Sequence, residues 1–372
     1  MSYSMVDHTV SVERLGLRNR AKELIVQAVR PVLLSEQFDI AVRGSVASYV
    51  NGSEFKQAIK DAITAALPHE ILARAAQTGV AAAFKDPVVT ATDFLSGGAR
   101  VDKGTQILLV EKYRELVRNG SPLPSFADVG FRSFSQFDED GILLFLFAVI
   151  GTTNREAIEI CSGVGYECNC ANLAIHHGWE TLMIDGSESN NAIARQFYTQ
   201  RSDTQISIPK LLHAWIEPET IDDLITSNGF RGEVDLLTID LDGVDYWIWK
   251  NITSINPRVV VTEYQPWFGP NEPYTVKNIK GYFYPDYAET KMGYCGCSLS
   301  AHVKLAQEKG YRLIGCNRNQ LNAVFLRNDI APELFPEVSE QSCLNSRRIT
   351  EMTNWIRPMV QKQIDAGDWE LV

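Results

Sequence analysis

Four acids stand where a sheet would open to a ligand. Asp240, Asp242 and Asp245 follow the apolar run Val234–Ile239 in the block Ile239-Asp-Leu-Asp-Gly-Val-Asp245, and Glu263 closes the next run, Arg258–Thr262. Open α/β sheets bind ligands beyond the carboxyl ends of their strands, so Asp240 and Glu263 are expected to face one crevice. There a carboxylate can take a proton from an acceptor. Alternatively Asp240, Asp242 and Glu263 can hold Mg²⁺, which lowers the acceptor's pKa and orients it through oxygen ligands. The plainer role, capping the helix that starts near Tyr246, suits Asp245 best. His302, on a later helix, is a further candidate base, although a lone helical histidine is more often structural. The D-x-D Asp240-Leu-Asp242 also admits another class, a glycosyltransferase holding the manganese of a nucleotide sugar.

A second group of residues fits a nucleoside. Glu159-Ile-Cys-Ser-Gly163-Val-Gly165 follows a short apolar strand and precedes the helical stretch Asn169–His177. Glycines at that turn let the backbone approach a ligand closely. Asp185, followed by Gly186, ends the next strand, where a carboxylate can accept both hydroxyls of a ribose. Trp215, near the end of the third strand, can stack on an adenine or simply fill the core. The third glycine of a dinucleotide fingerprint is replaced by Cys168. Glu159 would repel a diphosphate and suits the ammonium of S-adenosylmethionine, so that cofactor is favoured over NAD. A non-catalytic nucleotide-binding module is the remaining alternative.

The elements that position these groups follow from the patterning. The β-branched runs Ala157–Cys161, Thr181–Ile184, Leu211–Ile216, Val234–Ile239 and Arg258–Thr262 alternate with helical segments, which implies a parallel sheet covered on both faces. The helix Ser298–Lys309 leads to Tyr311–Cys316 and Ala323–Arg327, close enough to form a hairpin. The expected fold class is α/β, a class I methyltransferase-type (Rossmann-like), mostly parallel seven-stranded sheet with an antiparallel last strand. An all-helical N-terminal subdomain is expected over residues 1–122, with amphipathic stripes from Ala21 to Val32 and from Phe55 to Ala66 and a third helix over Thr105–Arg118. The methyltransferase-type domain should span 123–330, and an irregular then helical extension 331–372.

Gln136-Phe-Asp-Glu-Asp-Gly141, Glu159 to Gly165, Leu182-Met-Ile-Asp-Gly186 and Ile239 to Asp245 together resemble the FkbM-type methyltransferases, over about residues 130–330. The family pattern I-D-x-E-G-x-E has aspartates at both glutamate positions here, and Cys161 stands at the first glycine of the turn. The resemblance implies S-adenosylmethionine-dependent O-methylation of a small molecule or a sugar-containing acceptor, with Mg²⁺ as an optional helper.

Composition narrows the partners. A net charge of −11 and a pI near 5.1 disfavour nucleic acid. No run of about 18 apolar residues is present, so a membrane span is not expected. The first residues carry no signal-peptide pattern, which points to the cytoplasm. The pairs Cys168/Cys170 and Cys295/Cys297 could hold a zinc ion, but buried free thiols are the default. The N-terminal stripes leave a homodimer open. Tyr264 to Tyr287 forms an aromatic insertion with several prolines, placed to cover the acceptor or to build a small core of its own.

Overall fold

The structure, a computed structural model, describes residues 101–204 and 207–372. The five expected parallel strands are present: β1 (Glu156–Ile160), β2 (Glu180–Asp185), β3 (Lys210–His213), β4 (Gly232–Ile239) and β5 (Ile255–Glu263). A short β6 (Tyr274–Val276) lies apart, and β7 (Tyr311–Cys316) and β8 (Asn322–Arg327) complete a seven-stranded sheet of order β3-β2-β1-β4-β5-β8-β7. Strand β8 alone runs antiparallel, inserted between β5 and β7. This is the class I methyltransferase, Rossmann-like fold. Strands β1, β4 and β5 are buried along most of their length because helices cover both faces; Ile158, Leu237 and Val260 are fully buried.

The helices are α1 (Lys103–Arg118), α2 (Phe126–Val129), α3 (Glu139–Ile150), α4 (Asn169–His177), α5 (Glu188–Thr199), α6 (Ile221–Ser227), α7 (Asp245–Asn251), α8 (Leu299–Lys309) and α9 (Arg347–Asp365). Helix α3 is buried from Glu139 to Ala148, as an element apolar on all sides must be. Its Phe145 meets Tyr113 of α1 edge to face, with ring centroids 4.9 Å apart. The third helix expected in the N-terminal subdomain therefore packs on the sheet unit through α3. The two amphipathic stripes expected between residues 21 and 66 lie outside the described residues. No described helix is long and apolar enough to cross a membrane.

The C-terminal segment is less irregular than its composition suggested. Helix α9 places Arg357 on Glu272 through two contacts of 2.6 and 2.9 Å. The chain then returns as β9 (Trp369–Leu371), which pairs antiparallel with β6. Residues 347–372 thus brace the aromatic insertion that follows β5.

Candidate active site at the carboxyl ends of the strands

The turn after β1 is built for close packing. Gly165 has φ +74°, and a Cβ there would lie 2.7 Å from the Ala194 Cβ on α5. The Tyr198 hydroxyl, also on α5, donates to the Gly165 carbonyl at 2.5 Å. Over Gly163, by contrast, a Cβ would meet no atom within 4 Å, so the space a ligand would use is open. Cys161, the residue after β1, holds φ +67°.

Asp185 closes this turn from β2. Its Oδ2 accepts from the Gly163 N–H at 2.8 Å, and its Oδ1 accepts from Ser187 N–H at 2.8 Å and from Asn190 Nδ2 at 3.1 Å. At 4 % exposure it is engaged by the protein itself. A ribose diol would therefore have to take the place of Asn190. Gly186 sits beneath Trp215, whose Cε3 would be 3.0 Å from a Cβ at that position. Trp215 lies two residues beyond the end of β3, on the loop, rather than within the strand.

Glu159 departs from expectation. It is 3 % exposed, and its two oxygens accept from the N–H groups of Asn169 and Cys170 at 3.3 and 2.7 Å. The first turn of a helix offers unpaired N–H groups and the positive end of its dipole, and here the buried carboxylate satisfies them. It anchors α4 and does not reach out to a ligand ammonium.

The acids beyond β4 and β5 do converge. Asp245, 1 % exposed, reaches back from the first turn of α7 and accepts from the N–H groups of Leu241 and Gly243 at 2.8 and 2.9 Å. This folds the loop so that Asp242 stands exposed at its tip with φ +52°. Half-buried Asp240 and exposed Asp242 both hydrogen-bond to the side chain of half-buried Glu263. Burial and the neighbouring carboxylates push Glu263 and Asp240 well above the usual carboxylate range. Among the described residues no salt bridge joins any of the three. The amino end of the sheet contrasts with this, since buried Asp235 meets Arg258 at 2.7 Å. Carboxyl groups gathered at the strand ends without a cation mark this edge as a candidate functional site.

The arrangement does not present a ready metal site. Among the described residues, no three His, Cys, Asp or Glu side chains are placed to hold a metal ion, and the three carboxyls are closed on one another by hydrogen bonds. The expected Mg²⁺ set of Asp240, Asp242 and Glu263 would need those bonds to open first. The cysteine pairs are buried free thiols.

His302 is not a base for a substrate. It is wholly buried, with its ring among Trp249 and Phe325, and its Nε2 donates to the Glu263 carbonyl at 3.0 Å. Burial pushes its pKa down to about 4, so the ring is neutral, and Nδ1 has no hydrogen-bond partner among the described residues. It supports the end of β5 from behind. His176 and His177, at the end of α4, are half-buried on the fully buried side chain of Gln106.

The insertion roofs this edge. Tyr282 lies against Gly243, where an added Cβ would come within 2.8 Å of its ring. The Gly281 N–H donates to Glu217 beyond β3 at 2.9 Å. Phe283 meets Trp215 edge to face at 6.0 Å, and each of the two rings is 48 % exposed. Tyr264 and Phe268, by contrast, are buried in the main core beside the sheet. Asn190 and Tyr198, which fix the turn from α5, were not singled out in the sequence. The only signal for Asn190 was the helix start Ser187-Glu-Ser-Asn190 beside Asp185.

No family model matches the chain, and no curated protein does. Among solved structures, PKMT2 from Rickettsia typhi overlays with a TM-score of 0.33 at 12 % identity, over 49 % of this chain and 51 % of that one. An S-adenosylmethionine-dependent methyltransferase from Clostridium acetobutylicum gives 0.34 at 12 % identity, over 59 % and 97 %. The O-methyltransferase of a trans-AT PKS multienzyme from Brevibacillus brevis, bound to S-adenosyl-L-homocysteine, gives 0.29 at 10 %, over 57 % and 63 %. The chain thus spans about half the length of the first. Overlays this loose add no weight to the fold, which stands on its own strand order.

Proposed function

We propose that the chain is an S-adenosylmethionine-dependent methyltransferase acting on an oxygen of a small, neutral or sugar-containing acceptor. One observation supports this above the others. The strand order brings the glycine turn of β1, Asp185 of β2, and the acids of β4 and β5 to one edge of the sheet, beneath an aromatic roof. When bound, the cofactor supplies a methyl group on a cationic sulfur. The open face over Gly163 and the exposed side of Trp215 suit its nucleoside, and the carboxyls of Asp240 and Glu263 suit its positive charge. A cation beside these carboxyls favours their ionised forms. The shared proton is then lost, and Asp240 or Glu263 becomes free to accept one from the acceptor hydroxyl. Because the three carboxyls are closed on one another, the carboxylate serves as base without a metal in this reading. The D-x-D of a glycosyltransferase finds no separate support, since both aspartates turn toward Glu263.

Titration calorimetry tests the cofactor. Adenosylmethionine and its demethylated product should bind, NAD and UDP-sugars should not, and Asp185→Ala should weaken binding by ~1–3 kcal/mol. Binding of adenosylmethionine should release protons, seen as a heat that changes with the ionisation enthalpy of the buffer. An unaltered affinity in Asp185→Ala, with the fold intact by circular dichroism, would remove the nucleoside from this crevice.

A further inference from the structure

A second pair of reactive groups lies away from the carboxylates. Cys316, at the end of β7, and Cys343, in the short helical turn Glu340–Cys343, are neighbouring thiols on adjoining elements. Both line a cavity of about 420 Å³ walled by Phe126, Phe145 and Phe335. The Ser342 hydroxyl stands 3.8 Å from the Cys343 sulfur, and the Tyr264 hydroxyl fixes the Cys343 carbonyl at 2.6 Å. Two thiols that line one cavity can be joined as a disulfide, and a small oxidant needs only the cavity to reach them.

The seven cysteines are not alike. Cys161, Cys168, Cys170, Cys295 and Cys297 are pushed up, chiefly by burial, and so held as thiols. Cys316 is pushed up because it donates to Cys343 and is buried. Cys343 alone is pushed below the ordinary thiol value, by the Cys316 donor first and by Ser342 as well, against the effect of burial. A thiolate is the nucleophile in sulfur chemistry, and a neighbouring thiol resolves its oxidised form.

We propose that Cys316 and Cys343 form a peroxide-sensitive dithiol site, with Cys343 as the attacking sulfur and Cys316 as the resolving one. The Cys343 thiolate attacks a hydroperoxide, the O–O bond breaks, and sulfenic acid forms with release of hydroxide or alkoxide, which takes up a proton. The Cys316 sulfur then attacks the sulfenic sulfur, and water leaves with the Cys316 proton. Two thiols are oxidised to one disulfide while one peroxide is reduced. The product ties the Glu340–Cys343 turn to β7, beside Tyr264, the residue that follows Glu263.

The test treats the full chain with hydrogen peroxide, alkylates the free thiols with iodoacetamide and maps the peptides by mass spectrometry. The expected result is a loss of two mass units, carried by a linked Cys316–Cys343 peptide pair that dithiothreitol separates, with the other five cysteines alkylated. In Cys316→Ser, dimedone should label Cys343. Peroxide that leaves Cys316 and Cys343 alkylatable, or that links other cysteines first, overturns the proposal. If Cys316→Ser does not fold, the wild-type peptide map decides alone.

Discussion

Cys161 carries a φ of +67° that an L-residue with a Cβ adopts at a cost of roughly 1–2 kcal/mol. Glycine adopts it without strain but loses more freedom on folding. Cys161→Gly should therefore stabilise the protein by about 1 kcal/mol, read as a higher midpoint in urea unfolding. A lower midpoint would mean that the thiol, 3.9 Å from Asp185, supports the turn more than its backbone strains it. At the acid cluster, Asp240→Asn and Glu263→Gln preserve shape and remove charge. Each should reduce turnover ~10²-fold or more while leaving affinity for the demethylated cofactor within a few-fold, and EDTA should leave wild-type turnover unchanged. Loss of turnover with EDTA that Mg²⁺ restores would transfer the role from the carboxylate to a metal. Asp240 and Glu263 were legible in the sequence because strand ends dictate where their Cα atoms go. The use made of Glu159 and Asp185 was not, because it depends on N–H groups of Gly163, Asn169 and Cys170 that carry no mark in the residue type.

Strands β1, β2, β4, β5, β7 and β8 follow the apolar runs closely, since short β-branched segments between turn residues have few other solutions. Strands β6 and β9 could not be read. Each is three residues long, and their pairing joins segments nearly a hundred residues apart. The partner of α1 is not legible for a related reason, since its amphipathic stripe shows that a face is buried but not against what. With α1 packed on α3, a chain starting at residue 125 exposes Phe145 and removes the buried Gln106 that holds His176 and His177. A chain starting at residue 99 should fold cooperatively and one starting at 125 should not. Matching urea midpoints for the two would show that α1 contributes nothing to the sheet unit.

At the scale of the whole molecule, buried ionisable groups pull the pH dependence of stability in opposite directions. His302 is held at about 4 against an ordinary 6.5, so on acidification the unfolded chain takes up that proton first. Its contribution is complete above pH 6.5 and is lost as the pH falls toward 4, a span worth about 3 kcal/mol. Asp140 and Asp245, each raised to about 6, act oppositely: their contribution is complete below about pH 4 and is lost as the pH rises through 6. His302→Gln keeps a donor for the Glu263 carbonyl and cannot titrate. The stability gap between wild type and this variant should therefore shrink or reverse from pH 6.5 to pH 4.5 in urea unfolding. A constant gap would mean that the imidazole titrates alike in the folded and unfolded chain.

Glu139, at the start of α3, accepts from Asn317 at 2.7 Å and Asn322 at 2.9 Å, side chains 178 and 183 residues further along the chain. Everything that forms the crevice lies inside the loop this contact closes. Closing so long a loop is entropically slow, and its reward arrives only when the β7–β8 hairpin has docked beside β5. Until then α3, apolar on every side, has no complete surface to pack against. In the time domain this fold therefore has a vulnerable interval: α3, the most hydrophobic of the described helices, lacks part of its cover until nearly two hundred further residues have been made.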